Sequence, residues 1–328
     1  MDFEWKTILL SGQSLSNNDT TVNLAKINNL KAPRIYPLTH LSSLKITGKD
    51  AAKLLQGQLT CNVNDVNDTK GSYTALCNPK GRVIATFLLV KKADDFILVL
   101  PTEMLEIVQK RLQMFVLRSD VKITDNTGEL CLLGVYEPDK PAQPFSAEIQ
   151  HDVIAVNLPG INKRQLLITQ AKTRLDYWSN QTSSGAYQPA STTEWQFLDL
   201  SSSLPWITPP TSEEFIPQML NLDKLGGISF NKGCYTGQEI VARTHYLGKA
   251  KRELVLAICD CDSLPEPMAN VINISTNDQE VVGKVLMAQL TQQGCLIQII
   301  LLMNDTGYTH LALQTDTQNT IKLIPFNL

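Results

Sequence analysis

The segment Ser72-Tyr-Thr-Ala-Leu-Cys-Asn-Pro-Lys-Gly-Arg-Val-Ile-Ala-Thr-Phe-Leu-Leu-Val90 decides the fold class. Residues 72–76 and 83–90 are apolar runs rich in β-branched and aromatic residues, which is typical of strands. Asn78-Pro-Lys-Gly81 separates them and places Pro and Gly where a tight reversal needs them. Two strands joined by so short a turn pair antiparallel, so the pattern disfavours a doubly wound parallel sheet.

The elements around this hairpin complete an α+β unit. We expect a strand at 44–46 and a helix that carries Ala51, Leu54, Leu55 and Leu59 at helical spacing. A strand at 96–100, a helix after Pro101 and a strand at 121–123 follow. The order strand, helix, three strands, helix, strand predicts a ferredoxin-like α+β module over residues 36–128.

The remaining chain predicts two further modules. Strands are expected at 131–136, 153–157 and 165–169, and Ser191-Thr-Thr-Glu194 is a capping box for a helix that carries Trp195. These elements predict a second α+β module over residues 129–248. From 249 to 328 short apolar runs alternate with turns, which indicates a small β-barrel. Residues 1–35 are polar and irregular, so we expect a loosely attached lead segment.

Length and composition limit the functional classes. The chain has 328 residues, more than one hydrophobic core usually serves, so several modules are expected. The net charge of −3 provides no overall attraction for nucleic acid. The sequence lacks an apolar run long enough to span a bilayer and the basic-then-apolar order of a signal peptide. We therefore expect a soluble, cytoplasmic protein. Neither G-x-x-x-x-G-K-[ST] nor G-x-G-x-x-G occurs, which disfavours nucleotide binding.

The densest unusual stretch is Lys232-Gly-Cys-Tyr-Thr-Gly-Gln-Glu239, which predicts a functional thiol at Cys234. Gly233 and Gly237 permit positive φ on either side of the thiol and leave it approachable. Lys232 lies two residues away, where an ammonium would favour the thiolate. The alternative from composition is a buried structural cysteine at a glycine-rich helix entry.

The neighbours of this cysteine suggest a binding site. Tyr235 would supply a stacking face, and a helix running from Gln238 through Arg243 would direct its dipole toward the thiol. Trp195 is either a core residue or one wall of a pocket for a flat heterocycle.

Other polar groups carry weaker signals. The four histidines are scattered, which disfavours a cysteine protease. Cys259-Asp-Cys261 is a C-x-C pair without the grouped ligands of a zinc or cluster site, so no metal site is expected. The basic segment from His245 to Arg252 is either a solvated loop or a weak contact for RNA phosphates.

The octapeptide resembles the signature of the YgfZ family, folate-binding proteins related to the T-protein aminomethyltransferase of glycine cleavage. The resemblance covers about residues 36–328. Other segments similar to the family are Phe215-Ile-Pro-Gln218, Asn221-Leu-Asp-Lys-Leu-Gly-Gly-Ile-Ser-Phe230, Ile46-Thr-Gly-Lys-Asp50, Leu55-Gln-Gly-Gln-Leu-Thr60 and Asn78-Pro-Lys-Gly-Arg82.

The resemblance implies three modules arranged as a T-protein-like ring that binds tetrahydrofolate or a related reduced folate. It implies a role in assembly or repair of iron–sulfur enzymes, including those that thiolate tRNA, with Cys234 as the key thiol. Iron–sulfur enzymes or assembly proteins would be transient partners. Whether the chain itself catalyses a reaction stays open.

Two departures from the family pattern imply weaker or altered folate binding. A family tryptophan associated with folate is Leu41 here, whereas the second one is kept as Trp195. The family's Glu-Ala-Gly triplet is Ser201-Ser-Ser203. A carboxylate there would accept two hydrogen bonds from a pterin, which serine does not duplicate. Asp199 is a candidate substitute, or else a helix-end cap.

Arg82 and Lys232 are the candidates for binding the glutamate carboxylates of folate. The alternative function is a tetrahydrofolate-dependent aminomethyltransferase of glycine-cleavage type. That reaction needs no cysteine, so the signature around Cys234 argues against it.

Overall fold

The structure is a computed structural model that describes Lys6 and residues 31–248, 250–275, 279–292, 294–304, 307–308 and 310–325. Within helix 171–183 the side chains of residues 172–175 are not described. The predicted lead segment therefore lies almost wholly outside the described residues.

The first module has a five-stranded antiparallel sheet in the order β3-β4-β5-β2-β6. Its elements are β2 (Leu41–Thr47), α1 (Ala51–Gln56), β3 (Ser72–Cys77), β4 (Val83–Lys92), β5 (Asp95–Pro101), α2 (Leu105–Gln113) and β6 (Lys122–Asp125). The predicted order of strands and helices is confirmed.

The hairpin that decides the fold forms as its residues dictate. The amide of Gly81 donates to the carbonyl of Asn78 at 2.9 Å, and Gly81 has a φ of 69°. The side chain of Asn78 accepts from the amides of Lys80 and Arg82 at 2.9 and 3.0 Å. This turn closes the hairpin, and the first eight residues of β4 are buried.

The second module has a six-stranded sheet in the order β11-β1-β7-β10-β9-β8. Its elements are β1 (Arg34–Pro37), β7 (Leu130–Glu137), β8 (Ala147–Gln150), β9 (Val153–Leu158), β10 (Lys163–Gln170), α3 (Ala171–Ser183), β11 (Gln188–Pro189) and α4 (Thr192–Ser201). The predicted capping residue is confirmed at α4, where the Ser191 hydroxyl accepts from the amide of Glu194.

The third module is a closed barrel in the order β12-β15-β14-β13-β16-β17, as predicted. Its strands are β12 (Arg252–Cys259), β13 (Asn270–Asn273), β14 (Val281–Thr291), β15 (Gly294–Leu302), β16 (Leu311–Leu313) and β17 (Asp316–Ile324). The α+β class with a C-terminal barrel is therefore confirmed.

One module boundary differs from the prediction. Strand β1 pairs with β7 of the second sheet, so residues 34–37 do not belong to the lead segment and the first module. The reason is an ion pair that sequence periodicity does not register. Arg34 binds Glu194 of α4 at 2.8 Å, and the Tyr36 hydroxyl donates to the same carboxylate at 2.8 Å.

The chain from 205 to 237 departs from the prediction in a similar way, since it returns to the first module instead of staying with the second. The Tyr73 hydroxyl donates to the carbonyl of Pro205 at 2.7 Å, and the amide of Val83 donates to the carbonyl of Phe215 at 2.7 Å. The segment Lys232–Glu239 therefore lies on the first module. Its placement depends on contacts far apart in sequence, which the local pattern does not encode.

The modules share a continuous core. Buried residues of both sheets join Leu254, Leu256, Leu296 and Ile300 from the barrel in one cluster, while other barrel residues form a separate interior. The buried Gln298 amide donates to the carbonyl of Leu200 at 3.0 Å and so ties the barrel to α4. In the part of the chain that the structure describes, no helix has the length and apolarity needed to cross a bilayer.

Candidate functional site

The loop that carries Cys234 is held at its start by Lys232. The ammonium donates to the carbonyls of Leu59 and Cys61 at 2.8 and 2.7 Å and lies 5.0 Å from the centre of the Tyr235 ring. Burial lowers the pKa of Lys232 to about 8. The charge therefore secures the loop to the chain that follows α1 instead of being free in solvent.

The residues after the thiol are held as firmly. Tyr235 is buried, and burial raises its pKa above the ordinary value. The amide of Thr236 donates to the carbonyl of Gly57 at 3.1 Å, and its hydroxyl donates to the Gln58 side chain at 3.1 Å. The amide of Tyr235 donates to Gln238 at 3.2 Å.

Gly237 ends the loop and caps α5 (Gln238–Tyr246), with a φ of 84° in the left-handed region. A Cβ at this position would lie 2.5 Å from the carbonyl oxygen of Asn78 and 2.9 Å from the Cα of Gly81. The backbone of the loop thus contacts the turn that closes the β3–β4 hairpin. Gly233 has neither constraint, because a Cβ there would meet nothing within 4 Å and its φ is not positive.

Cys234 is exposed, whereas the other six cysteines are buried. Burial raises the pKa of Cys77 and Cys295 to about 12 and also raises the pKa of Cys61 and Cys259. A thiol must ionise to act as a nucleophile or metal ligand, so these four are inert in the folded state. Among the described residues no group of His, Cys, Asp and Glu is arranged to hold a metal ion.

A second feature is a cleft of about 340 Å³ between the second module and the barrel. Phe197, Leu198, Ser201 and Ser202 of α4 and the loop after it form one side together with Arg164 of β10. Apolar barrel side chains form the other side, among them Leu256, Ile258, Leu296 and Ile324. Such a combination of apolar walls and few polar groups is typical of small-molecule sites.

A buried polar network supports this cleft. Arg164 binds Asp199 at 2.8 Å and donates to the carbonyl of Pro159 through two nitrogens. The indole of Trp206 donates to the same Asp199 carboxylate at 2.9 Å. Burial raises the pKa of Asp199, and the Arg164 guanidinium opposes that shift. The network fixes Arg164 at the cleft wall.

A comparison with known proteins relates the chain to one family. The chain is 30% identical over 324 residues to the tRNA-modifying protein YgfZ of Colwellia psychrerythraea, covering 94% of this chain and 98% of that protein. The chain belongs to the YgfZ family. The tRNA-modifying protein YgfZ of Blochmanniella pennsylvanica is 31% identical over 81% of this chain and 87% of its own length.

The relation to glycine-cleavage proteins extends to the fold of this YgfZ-family chain. A family profile described as the GCVT N-terminal domain matches residues 31–154. The solved aminomethyltransferase T of the glycine cleavage system from Bartonella henselae superposes with a TM-score of 0.74. The superposition covers 92% of this chain and 87% of that protein at 12% identity. At that identity the likeness shows the shared fold.

Three residues that the YgfZ resemblance assigned to folate do not line the cleft. Trp195 is fully buried, with its ring 5.2 Å from that of Tyr36 and packed flat against Gly134. Leu41 is fully buried at the start of β2, opposite Pro101. Asp199 is committed to its ion pair with Arg164 and is no helix-end cap. These side chains stabilise the second module and its junction with the first.

The two predicted carboxylate-binding cations are also engaged elsewhere. Lys232 binds backbone carbonyls, and the guanidinium of the exposed Arg82 donates to the carbonyl of Glu214. Tyr235 offers no open stacking face because its ring is buried beneath the Lys232 ammonium. Arg243 is exposed in α5 and pairs with Glu239 at 3.4 Å.

The predicted single site is therefore divided in two. The segment Lys232–Glu239 lies on the first module and contributes no residue to the cleft between the second module and the barrel. Sequence reasoning missed Arg164, which stands alone among apolar residues of a strand and carries no motif. It also missed Gly134, whose lack of a side chain admits the Trp195 ring.

Gly237→Ala is expected to lower the free energy of unfolding by about 2 kcal/mol or more, because a Cβ meets the Asn78 carbonyl and the φ is left-handed. Urea denaturation measures the change. Gly233→Ala is the matched control on the other side of the thiol and should change stability by less than about 0.5 kcal/mol. Equal losses in the two variants would show that the contact with the Asn78 turn is not what holds the loop.

Brief treatment of the native protein with N-ethylmaleimide is expected to label Cys234 alone, since it is the exposed thiol of the seven cysteines. Peptide mass spectrometry identifies the labelled residue. The Cys234→Ser variant should take up no label until guanidinium unfolds it. Labelling of any second cysteine at the rate of Cys234 would contradict the burial described here.

Proposed function

We propose that this YgfZ-family chain is a folate-binding accessory protein for assembly or repair of iron–sulfur enzymes, including enzymes that thiolate tRNA, with Cys234 as its working thiol. The single observation that carries the proposal is the exposure of Cys234 on a loop whose flanking residues are all fixed.

Rigid presentation matters because a thiol on a mobile loop would lose conformational freedom on every encounter with a partner. Here the ordering is built in, since Lys232 and Thr236 secure the loop on either side of Cys234. Gly233 leaves the approach to the sulfur open because it has no side chain. The arrangement suits contact with a protein-bound cluster or a sulfur-bearing group in trans.

The chemistry available to the thiol follows from its class. On losing its proton to solvent, the Cys234 sulfur becomes a thiolate, which is both a nucleophile and a soft ligand for iron. Since no described group of residues is arranged to hold a metal ion, Cys234 would act as one ligand toward a cluster held by the client. A transient partnership is consistent with a single protein ligand.

Reduced folate is assigned to the cleft between the second module and the barrel. Its flat pterin ring suits the walls formed by Phe197, Leu256 and Leu296. Ser201 and Ser202 supply hydroxyls that both donate and accept hydrogen bonds, and Arg164 supplies a fixed cation. When bound, a reduced folate would supply one-carbon or reducing chemistry; the cleft residues themselves would bind and orient it and exclude water.

The donor set of the cleft also explains the departure at Ser201. None of the residues lining the cleft carries a carboxylate, so pterin amino groups would meet neutral hydroxyl oxygens. Hydrogen bonds to charged groups are about twice as strong as neutral ones. We therefore propose that this member binds folate more weakly than relatives with glutamate at this position. The aminomethyltransferase alternative has the shared fold as its support.

Replacing Cys234 with Ala is expected to abolish complementation of a cell line that lacks its own family member, while the melting temperature and folate affinity stay unchanged. The thiol is exposed and lies outside the cleft, so its removal disturbs neither. Growth and the level of thiolated tRNA nucleosides are the readouts. Gly233→Ala serves as the neighbouring control and should complement. Full activity of the Cys234→Ala variant would remove the thiol from the function.

Ser201→Glu is expected to tighten tetrahydrofolate binding about fivefold or more, because a carboxylate accepts charge-assisted hydrogen bonds from the pterin. Isothermal titration calorimetry measures the affinity. Ser201→Gln is the matched control, with the same length and no charge, and should gain less. If all three proteins bind with one affinity, the pterin does not lie beside residue 201; circular dichroism verifies that each variant is folded.

A further inference from the structure

A cluster of three aromatic rings lies where the Cys234 loop meets the end of α5. The imidazole of His245 lies flat on the ring of Phe230, with 3.7 Å between centroids and 12° between planes. Tyr246 meets both rings edge-on, at 6.1 Å from Phe230 and 4.8 Å from His245. These three residues are referred to below as the aromatic platform.

The platform faces solvent. Tyr246 is 63% exposed and the adjoining Leu247 is 82% exposed, although both side chains are of types usually buried. His245 is also exposed, and Phe230 is half-buried beneath it. The site already described has no use for these rings. Exposed aromatic rings grouped in this way are typical of surfaces that stack against flat partners.

The charge around the platform has one predominant sign. Residues 240–252 contain four cations, Arg243, Lys249, Lys251 and Arg252, and no carboxylate. Arg243 pairs with Glu239, yet both side chains are largely exposed, so the pair is weak and exchangeable. Lys251 and Arg252 are exposed at the start of the barrel. A chain with a net charge of −3 thus concentrates positive charge beside its exposed aromatic rings.

The platform and the thiol are parts of one local structure. The loop with Cys234 connects Phe230 to α5, and the contact between Phe230 and His245 closes this connection. The nine residues of α5 span about 13 Å at the rise of an α-helix. A strand bound at the platform would therefore pass within a few nucleotides of the Cys234 sulfur.

We propose that the aromatic platform and its flanking cations bind single-stranded RNA. A base stacks on the exposed rings of His245 and Tyr246, while Arg243, Lys251 and Arg252 neutralise phosphates. An acidic protein segment would satisfy the cations but would not require grouped flat rings, so the platform favours RNA. The link between this RNA site and thiolation rests on the function proposed for Cys234; binding itself does not.

Binding is tested by fluorescence anisotropy of a labelled 20-nucleotide unstructured RNA and of an unmodified tRNA transcript at about 50 and 200 mM salt. Tyr246→Ala is expected to weaken binding at least about fivefold, the loss of one stacked base. Leu264→Ala is the matched control, because it also removes an exposed apolar side chain, 52% exposed, but lies in the barrel. It should leave the affinity unchanged.

A second pair of variants tests the charge. Lys251→Gln should lower the affinity for RNA and reduce the salt dependence by about one phosphate contact, whereas Lys322→Gln, an exposed lysine elsewhere on the barrel, should do neither.

Three results would overturn the assignment. They are an absence of RNA binding at the lower salt, equal affinities for Tyr246→Ala and Leu264→Ala, and equal binding of RNA and of inorganic polyphosphate. RNA binding that persists in a Cys234→Ala variant that no longer complements would support the RNA site and the thiol's role separately. RNA binding together with full complementation by Cys234→Ala would leave the site standing and remove the proposed function.

Discussion

The ammonium of Lys232, held between the carbonyls of Leu59 and Cys61, is the contact on which the functional region depends. It joins a loop late in the chain to the end of the first helix, and burial makes the charge costly unless both carbonyls are present. The fall in its pKa to about 8 reflects that cost. With the loop secured here and at Gly237, Cys234 is the residue between them that is left exposed to solvent.

This constraint separates two tasks that a single active site would combine. The thiol belongs to the first module, whereas the cleft with Arg164 and Ser201 lies between the second module and the barrel. Separation suits an accessory protein, because a partner can approach the thiol while a small molecule occupies the cleft. Ligand binding would then affect the thiol by stabilising the modules as a whole, since they share one core.

The buried Arg164–Asp199 pair shows how a polar group can define a site without motif or exposure. Breaking a buried pair by removing one partner is strongly destabilising, since a charge is left unpaired. Arg164 meets Asp199, the Pro159 carbonyl and the ring of Trp195, at 5.1 Å from the ring centre. Trp195, kept from the family pattern, therefore serves the wall of the cleft from behind and does not face its interior.

The sequence by itself determined the order of elements, the antiparallel hairpin around Asn78, the cap at Ser191, the barrel and the identity of Cys234 as the functional thiol. These are local properties, because alternation, turn residues and caps act over a few neighbours. The tertiary structure alone decided that β1 joins the second sheet, that Lys232 and Tyr235 are occupied, and that Trp195, Leu41 and Asp199 are buried away from the cleft. Each of those outcomes depends on contacts between residues far apart in the chain, such as Lys232 with Leu59, for which spacing in the sequence carries no physical signal.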